Sequence, residues 1–154
     1  MKIVCIGDAF ITSEMMEEGV RPYLSEGDSM EVFFFGEQDK VAMRDTIKSI
    51  EARVFDGIPM PEGLYQAVED ADLLIVHLCP IKRDLIERTT RLKAIMTCRG
   101  GVENIEVDAA TERGIIVSNN PAHNANAVAE FTIGMILSET RNIARSNLAL
   151  REGV

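Results

Sequence analysis

Short apolar runs alternate along this chain with segments whose apolar positions recur at helical spacing. The runs cover residues 2–7, 30–35, 71–78, 92–97 and 115–118. Most are apolar at nearly every position rather than every second one, which predicts strands buried on both faces of a parallel sheet. The second carries Phe33, Phe34 and Phe35 in succession, so aromatic groups point to both faces and helices are expected on both. The run at 71–78 is the strongest, and it stops at Cys79-Pro80 because proline cannot donate to a central ladder.

Between the runs the period changes. Met15, Met16, Val20, Tyr23 and Leu24 share one face of a helix with Thr12 or Ser13 as N-cap, and Pro22 should end or kink it. Val41, Met43, Ile47 and Ile50 predict a second amphipathic helix over residues 39–52. Residues 53–61 read as an extended piece with turn chemistry at Asp56-Gly57 and Pro59. Pro61 then opens a helix through Leu64 and Val68. Short helices are expected over 82–90 and 107–113, the latter closed by Gly114. A long helix should run from 125 to about 150, with Asn124 or Asn126 as its cap.

Five strands separated by helices imply right-handed crossovers and an α/β fold: a flavodoxin-like three-layer domain with a five-stranded parallel sheet. The last helix would be ~39 Å long at ~1.5 Å per residue, whereas five- or six-residue strands span ~17–20 Å. It should therefore protrude beyond the sheet. Its apolar residues fall in two stripes, Val128, Phe131 and Met135 on one and Ile133 and Leu137 on another. Apolar residues around most of a helix predict burial on nearly all sides. Ile143, Leu148 and Leu150, farther along, would need a partner.

In an open parallel sheet ligands bind at the carboxyl ends of the strands, where the chain order reverses. Those edges are Gly7-Asp8, Leu78-Cys79-Pro80, Cys98-Arg99-Gly100-Gly101 and residues 119–124. Residues 92–130 hold two of the four, and the rest of the chain is organised around that stretch. Gly100 and Gly101 let backbone N–H groups approach a carboxylate or phosphate, and Arg99 adds a planar cation. A tight turn with a surface arginine is the plainer alternative. Asn124 suits a helix cap and could also present its amide to the crevice. His77 and His123 have no carboxylate within their own motifs, which is weak support for general-base chemistry.

Composition narrows the classes. The 154 residues fit one domain with a self-sufficient core, and 46% of them are hydrophobic. The net charge of −9 is uneven: residues 1–72 hold 16 acids and 6 bases, the remainder 9 and 10. The acidic front argues against nucleic acid or an anionic membrane as partner. Cys5, Cys79 and Cys98 are odd in number and widely spaced, which suggests reduced thiols in a cytoplasmic protein. No Cys/His cluster offers metal spacing, the start is too short for a signal peptide, and no apolar run approaches a membrane span. The glycines build neither G-x-G-x-x-G nor a Walker A loop.

The stretch from Leu92 to about Arg145 resembles the D-isomer-specific 2-hydroxyacid dehydrogenases, the family that includes phosphoglycerate, D-lactate and formate dehydrogenases. The shared pattern is a strand, a glycine turn ending in Asn104-Ile105, the run Ala109-Ala110-Thr111-Glu112-Arg113-Gly114-Ile115, then Asn-x-x-x-Val-Ala-Glu and a long helix. In that family one α/β domain binds much of the substrate. A second binds NAD and carries the catalytic Arg, Glu and His. The resemblance implies that residues 1–121 are the substrate-binding domain and that 122–154 form the helix crossing toward a nucleotide-binding domain missing from this chain. It places the substrate-binding backbone turn on Gly100 and Gly101, the loop after the third strand on Leu78 and Cys79, and the amide near the reacting carbon on Asn124. Val128 falls where the family packs against the nicotinamide. The commonest family turn has an apolar residue between two glycines, and Arg99-Gly100-Gly101 departs from it in favour of a substrate with extra negative charge.

The resemblance thus implies half of an NAD-dependent enzyme, inactive alone, acting with a small anionic hydroxy or keto acid and pairing into a homodimer through its long helix. The reading from a different class is a stand-alone flavodoxin-like binding, regulatory or dimerisation module without catalysis. A phosphoacceptor receiver fits poorly, since Leu78-Cys79-Pro80 supplies no aspartate. An FMN site fits no better, since Gly7-Asp8-Ala9-Phe10 is no hydroxyl-rich phosphate loop.

Overall fold

The computed structural model describes residues 1–153. Strands β1 (Lys2–Gly7), β2 (Ser29–Phe34), β3 (Leu73–Val76), β4 (Ala94–Thr97) and β5 (Ile116–Ser118) form one parallel sheet ordered β2-β1-β3-β4-β5. This is the five-stranded, flavodoxin-like arrangement read from the sequence. The chain order reverses between β1 and β3, so the crevice expected in such a sheet opens beside Gly7 and Val76. Helices are α1 (Ser13–Val20), α2 (Arg44–Glu51), α3 (Leu64–Ala67), α4 (Arg83–Arg88), α5 (Val107–Glu112), α6 (Ala125–Thr140) and α7 (Ile143–Glu152). By its contacts the chain forms two compact units, Met1–Pro121 and Ala122–Val154.

In the first unit, alternate residues of each strand feed two apolar layers. Val4, Ile6, Leu74, Val76 and Ile95 meet Ile50 of α2, Leu64 of α3, Leu85 and Ile86 of α4, and Ala109 and Ala110 of α5. On the other face Ile3 and Cys5 meet Met16 of α1, with Leu73, Ile75 and Cys98 partly buried beside them. That second layer is thinner: Met96 on β4 and Ile116 on β5 remain 42% and 67% exposed.

Several elements are shorter than their apolar patterns suggest, each for a local reason. The first helix ends at Val20, and Pro22 occupies the first turn of a 3-10 helix, Arg21–Tyr23. α2 starts at Arg44 rather than 39, because the Asp39 carboxylate takes the Val41 N–H at 2.8 Å and holds a turn there. Gly63, left-handed at φ 79°, separates Pro61 from the helix it was expected to open. β3 stops at Val76 because the Leu78 N–H goes to the Asp8 carboxylate at 3.0 Å instead of to a neighbouring strand.

The second unit departs most. The expected single helix over 125–150 is two helices, broken at Asn142, whose backbone is left-handed (φ 57°, ψ 24°). Asparagine tolerates that conformation because its short side chain bonds locally. Here its Oδ1 accepts from Arg145 Nε at 2.6 Å and its carbonyl accepts the Ser146 N–H at 2.8 Å. The expected burial on nearly all sides is also wrong. No α6 side chain is buried, and Phe131 and Ile133 are 70% and 58% exposed. One companion helix, α7, cannot cover an apolar surface that runs around most of α6. No helix among the described residues is long and apolar enough to cross a membrane.

Candidate functional site

The carboxyl edge of the sheet begins with Asp8. Gly7 lets it form: a Cβ there would lie 2.5 Å from the Ser13 backbone nitrogen, so only glycine lets α1 start against the end of β1. Asp8 is fully buried, yet its carboxylate accepts from Phe10 N–H at 2.8 Å, Ile11 N–H at 3.2 Å and Leu78 N–H at 3.0 Å. His77 Nδ1 adds a contact at 2.9 Å to Oδ2 and 3.1 Å to Oδ1, and against a carboxylate that nitrogen is the donor. Burial alone would raise the carboxyl's pKa. The His77 bond and the Phe10 and Ile11 amides outweigh it and hold the pKa below the ordinary aspartate value. The group is therefore a buried carboxylate that fastens the loop after β3 to the end of β1.

Asn104 fastens the same loop to the glycine turn. It is fully buried, and its Nδ2 donates to the His77 carbonyl at 3.2 Å and the Cys79 carbonyl at 3.1 Å. Its backbone carbonyl accepts the Ile81 N–H at 2.7 Å, while the Cys98 N–H reaches the Val76 carbonyl at 2.8 Å. Asn104 Oδ1 is the one buried side-chain polar atom without a partner among the described residues. The loop 77–81 and the turn 98–104 are thus one bonded assembly.

Three carbonyls of the turn are engaged, and two of its N–H groups are not. The Arg99 carbonyl accepts from Asn120 N–H at 2.8 Å, the Gly100 carbonyl from Asn119 Nδ2 at 2.7 Å, and the Val102 carbonyl from Ile105 N–H at 3.0 Å. The N–H groups of Gly100 and Gly101 have no partner among the described residues, and both residues are at least partly exposed. Open backbone donors at a sheet's carboxyl edge form a site for an anionic oxygen. Beside the turn lies a groove of about 340 Å³ lined by Ile75, Met96, Cys98, Ser118 and Asn119. A larger hollow, about 640 Å³, lies around Lys2, Glu31 and Asp70. Its lysine is already paired with both acids, at 3.0 and 2.6 Å, so its sign suits no anion.

The residues singled out in the sequence divide accordingly. Gly100 and Gly101 are the open turn. Leu78 and Cys79 lie in the loop after β3 with their side chains buried, so only their backbone can face the crevice. The Arg99 guanidinium lies 3.5 Å from Glu51 and 3.6 Å from Glu103 with its side chain only 14% exposed, and two carboxylates therefore already engage it. Asn124 sits at the N-cap position of α6 without a side-chain capping bond, and Val128, one turn later, is 53% exposed. Both belong to the second unit. The Asp8–His77 pair was missed because its members are 69 residues apart; the available signal was that each ends a strand adjacent in a 2-1-3-4-5 sheet. Burial raises the Cys5 thiol to about 11 and also raises Cys79 and Cys98, so none is an activated nucleophile. No group of His, Cys, Asp and Glu among the described residues could hold a metal ion.

Comparison with known proteins agrees with this geometry. The family model described as "D-isomer specific 2-hydroxyacid dehydrogenase, catalytic domain" matches residues 10–150. A D-3-phosphoglycerate dehydrogenase of Methanocaldococcus jannaschii is 38% identical over 117 residues, which are 75% of this chain and 22% of that protein. A hydroxypyruvate reductase of Thermotoga maritima is 34% identical over 116 residues, 75% of this chain and 38% of that one. The chain therefore spans well under half the length of these relatives. Among solved structures, the NAD+-bound 3-phosphoglycerate dehydrogenase of Entamoeba histolytica superposes with a TM-score of 0.58 at 26% identity, covering 90% of this chain and 38% of that one. The NAD-bound formate dehydrogenase of Staphylococcus aureus gives 0.63 at 23% identity, covering 99% and 41%, and so bears on the fold alone. A match over residues 10–150 that carries the turn, the loop and the helix start described above places this chain in the D-isomer specific 2-hydroxyacid dehydrogenase family.

Proposed function

We propose that residues 1–121 of this chain are the substrate-binding part of an NAD-dependent D-2-hydroxyacid dehydrogenase, taking a small anionic hydroxy or keto acid of phosphoglycerate-like class. One observation carries the reading: the Gly100 and Gly101 N–H groups stand open at the carboxyl edge while the Arg99, Gly100 and Val102 carbonyls beside them are engaged. They would hold the acid's carboxylate, Asn104 and Asp8 would keep the Leu78-Cys79 backbone beside it, and Asn124 would act near the reacting carbon. Arg99, for which the same role was expected, would serve only if it left Glu51 and Glu103.

No glycine-rich strand–turn–helix exists in this chain to cradle a pyrophosphate. NAD and the catalytic Arg, Glu and His therefore belong to a nucleotide-binding domain outside it, toward which residues 122–154 would lead, with Val128 against the nicotinamide. Adding D-glycerate or 3-phosphoglycerate to 15N-labelled protein should shift the Gly100 and Gly101 amide signals first. The same preparation should not oxidise NADH with hydroxypyruvate. Amide signals unmoved at millimolar ligand, or turnover by this chain alone, would each overturn the corresponding half of the proposal.

The exposed apolar surface of α6 favours a second role for the same chain, pairing with another copy through that helix. Sedimentation equilibrium should then find a dimer, and a monomer at all concentrations would rule it out.

A further inference from the structure

We propose that the Glu103 carboxylate is a built-in occupant of the anion site: it fills a seat at Gly101 until an incoming acid displaces it, so that binding is an exchange of one carboxylate for another. This rests on the reading of Gly100 and Gly101 as the carboxylate-binding turn. Gly101 is not left-handed, so the backbone of the turn does not call for glycine there. Its neighbour does. A Cβ on Gly101 would fall 2.6 Å from the Glu103 carboxyl carbon, well inside contact distance. The space that glycine leaves open thus holds a carboxylate, beside the Gly100 and Gly101 N–H groups that have no partner among the described residues. The chain's own carboxylate marks where another can sit.

Glu103 is placed to leave. The atoms against Gly101 are the far end of a flexible side chain that is 38% exposed, so a change of rotamer carries them into solvent. Arg99 faces Glu103 at 3.6 Å and Glu51 at 3.5 Å. Charge-assisted N–H···O bonds at full strength are about 2.7–2.9 Å, so neither pairing is tight. Two carboxylates against one guanidinium also leave this corner with a net negative charge, which opposes any acid that arrives while Glu103 stays. When Glu103 swings out, the seat empties, the local charge falls to balance, and Arg99 is left with Glu51. The incoming acid then meets an empty seat beside a guanidinium already half released. A glutamate that braced the turn would accept from its N–H groups, and these have no partner among the described residues.

The test uses the 154-residue chain, D-glycerate as probe, and the Gly100 and Gly101 amide shifts as readout. Glu103→Gln keeps the shape of the side chain and removes its charge. It should tighten D-glycerate about fivefold over wild type, the order expected when a like charge a few Å away is lifted from a partly exposed site. Glu51→Gln removes the other carboxylate on Arg99 without touching the seat, and should tighten binding less than about twofold. Equal gains in the two variants would mean general charge rather than occupancy and would overturn the proposal. A Glu103→Gln variant that binds no better than wild type overturns it too, while leaving the turn as a binding site. Should Glu103→Gln fail to fold, the wild type decides through the nuclear Overhauser effect between Gly101 Hα and Glu103 Hγ. It must be present in the free protein and vanish at saturating D-glycerate; an effect missing from the free protein, or kept in the bound one, overturns the proposal. Amides that respond in neither wild type nor Glu103→Gln overturn the site reading and this inference with it.

Discussion

The two units of this chain use apolar residues in opposite ways. In Met1–Pro121 the central strands are spent on a core, and Val4, Ile6, Leu74, Val76 and Ile95 are wholly buried between sheet and helices. In α6, Val128, Phe131, Ile133, Met135, Ile136 and Leu137 are each about half exposed or more. The apolar fraction of the two regions is similar; their periodicity is not. Strands alternate between two faces that each find a layer, whereas α6 is apolar around most of its circumference and within its own unit is accompanied by α7. The first unit is stabilised from within, and the second presents a surface.

The sharpest way to break that contrast is to truncate a residue at the centre of the buried unit. Ile95→Ala, at the centre of β4, should cost about 3–4 kcal/mol in urea denaturation. If it costs less than 1, the first unit is not the close-packed core described. Next in size is Asp8→Ala, which leaves the Phe10, Ile11 and Leu78 N–H groups without their acceptor inside the protein and should cost about 3 kcal/mol. Asn104→Ala should cost about 1–3 kcal/mol. Because its Nδ2 ties the His77 and Cys79 carbonyls to the turn, it should also broaden the Gly100 and Gly101 amide signals. A variant as stable and as sharp in its spectrum as wild type would show that Asn104 does not brace the loop.

These costs mark where sequence reasoning reached and where it stopped. All five strands were legible because an apolar run between polar turns has few alternatives. The lengths were not, because β3 ends where the Asp8 carboxylate takes the Leu78 N–H, a bond made across 70 residues. The glycine turn was legible as a turn with open N–H groups, a candidate site, from Gly100 and Gly101. The partners of Arg99 were not, since Glu51 lies 48 positions away on α2. His77 read as an isolated histidine for the same reason. The break at Asn142 had a weak local signal, an asparagine among helix formers, but its left-handed backbone is settled by the bonds to Arg145 and Ser146. Burial of α6 was inferred from its pattern, which shows that a helix needs cover and not whether it has it.

A smaller effect separates the units by pH. In the first unit Asp72 is bonded by the Lys2 backbone N–H, with Arg91 and Lys93 beside it, and its carboxyl is lowered to about 2; Asp8 is lowered as well. A carboxylate whose folded pKa lies below its unfolded value of about 3.9 contributes stability at higher pH that is lost as pH falls. Denaturation midpoints should therefore fall between about pH 4 and pH 2. Asp72→Asn should flatten the lower part of that fall. An unchanged slope would remove Asp72 from the account.

The smallest change in stability belongs to the surface that sets the units apart. Phe131→Gln removes an aromatic side chain that is 70% exposed, so the folded state loses little packing and the change should stay within about 0.5 kcal/mol. Self-association should respond instead. If α6 is where two copies meet, its apolar side chains leave water only in the pair, and the variant should weaken the dimer while leaving the urea midpoint of Met1–Pro121 where it was. Sedimentation equilibrium of Phe131→Gln beside wild type makes the comparison. A lowered urea midpoint with unchanged association would mean that Phe131 is packed within the monomer, and the contrast between a self-contained unit and an interface helix would fail at its most exposed residue.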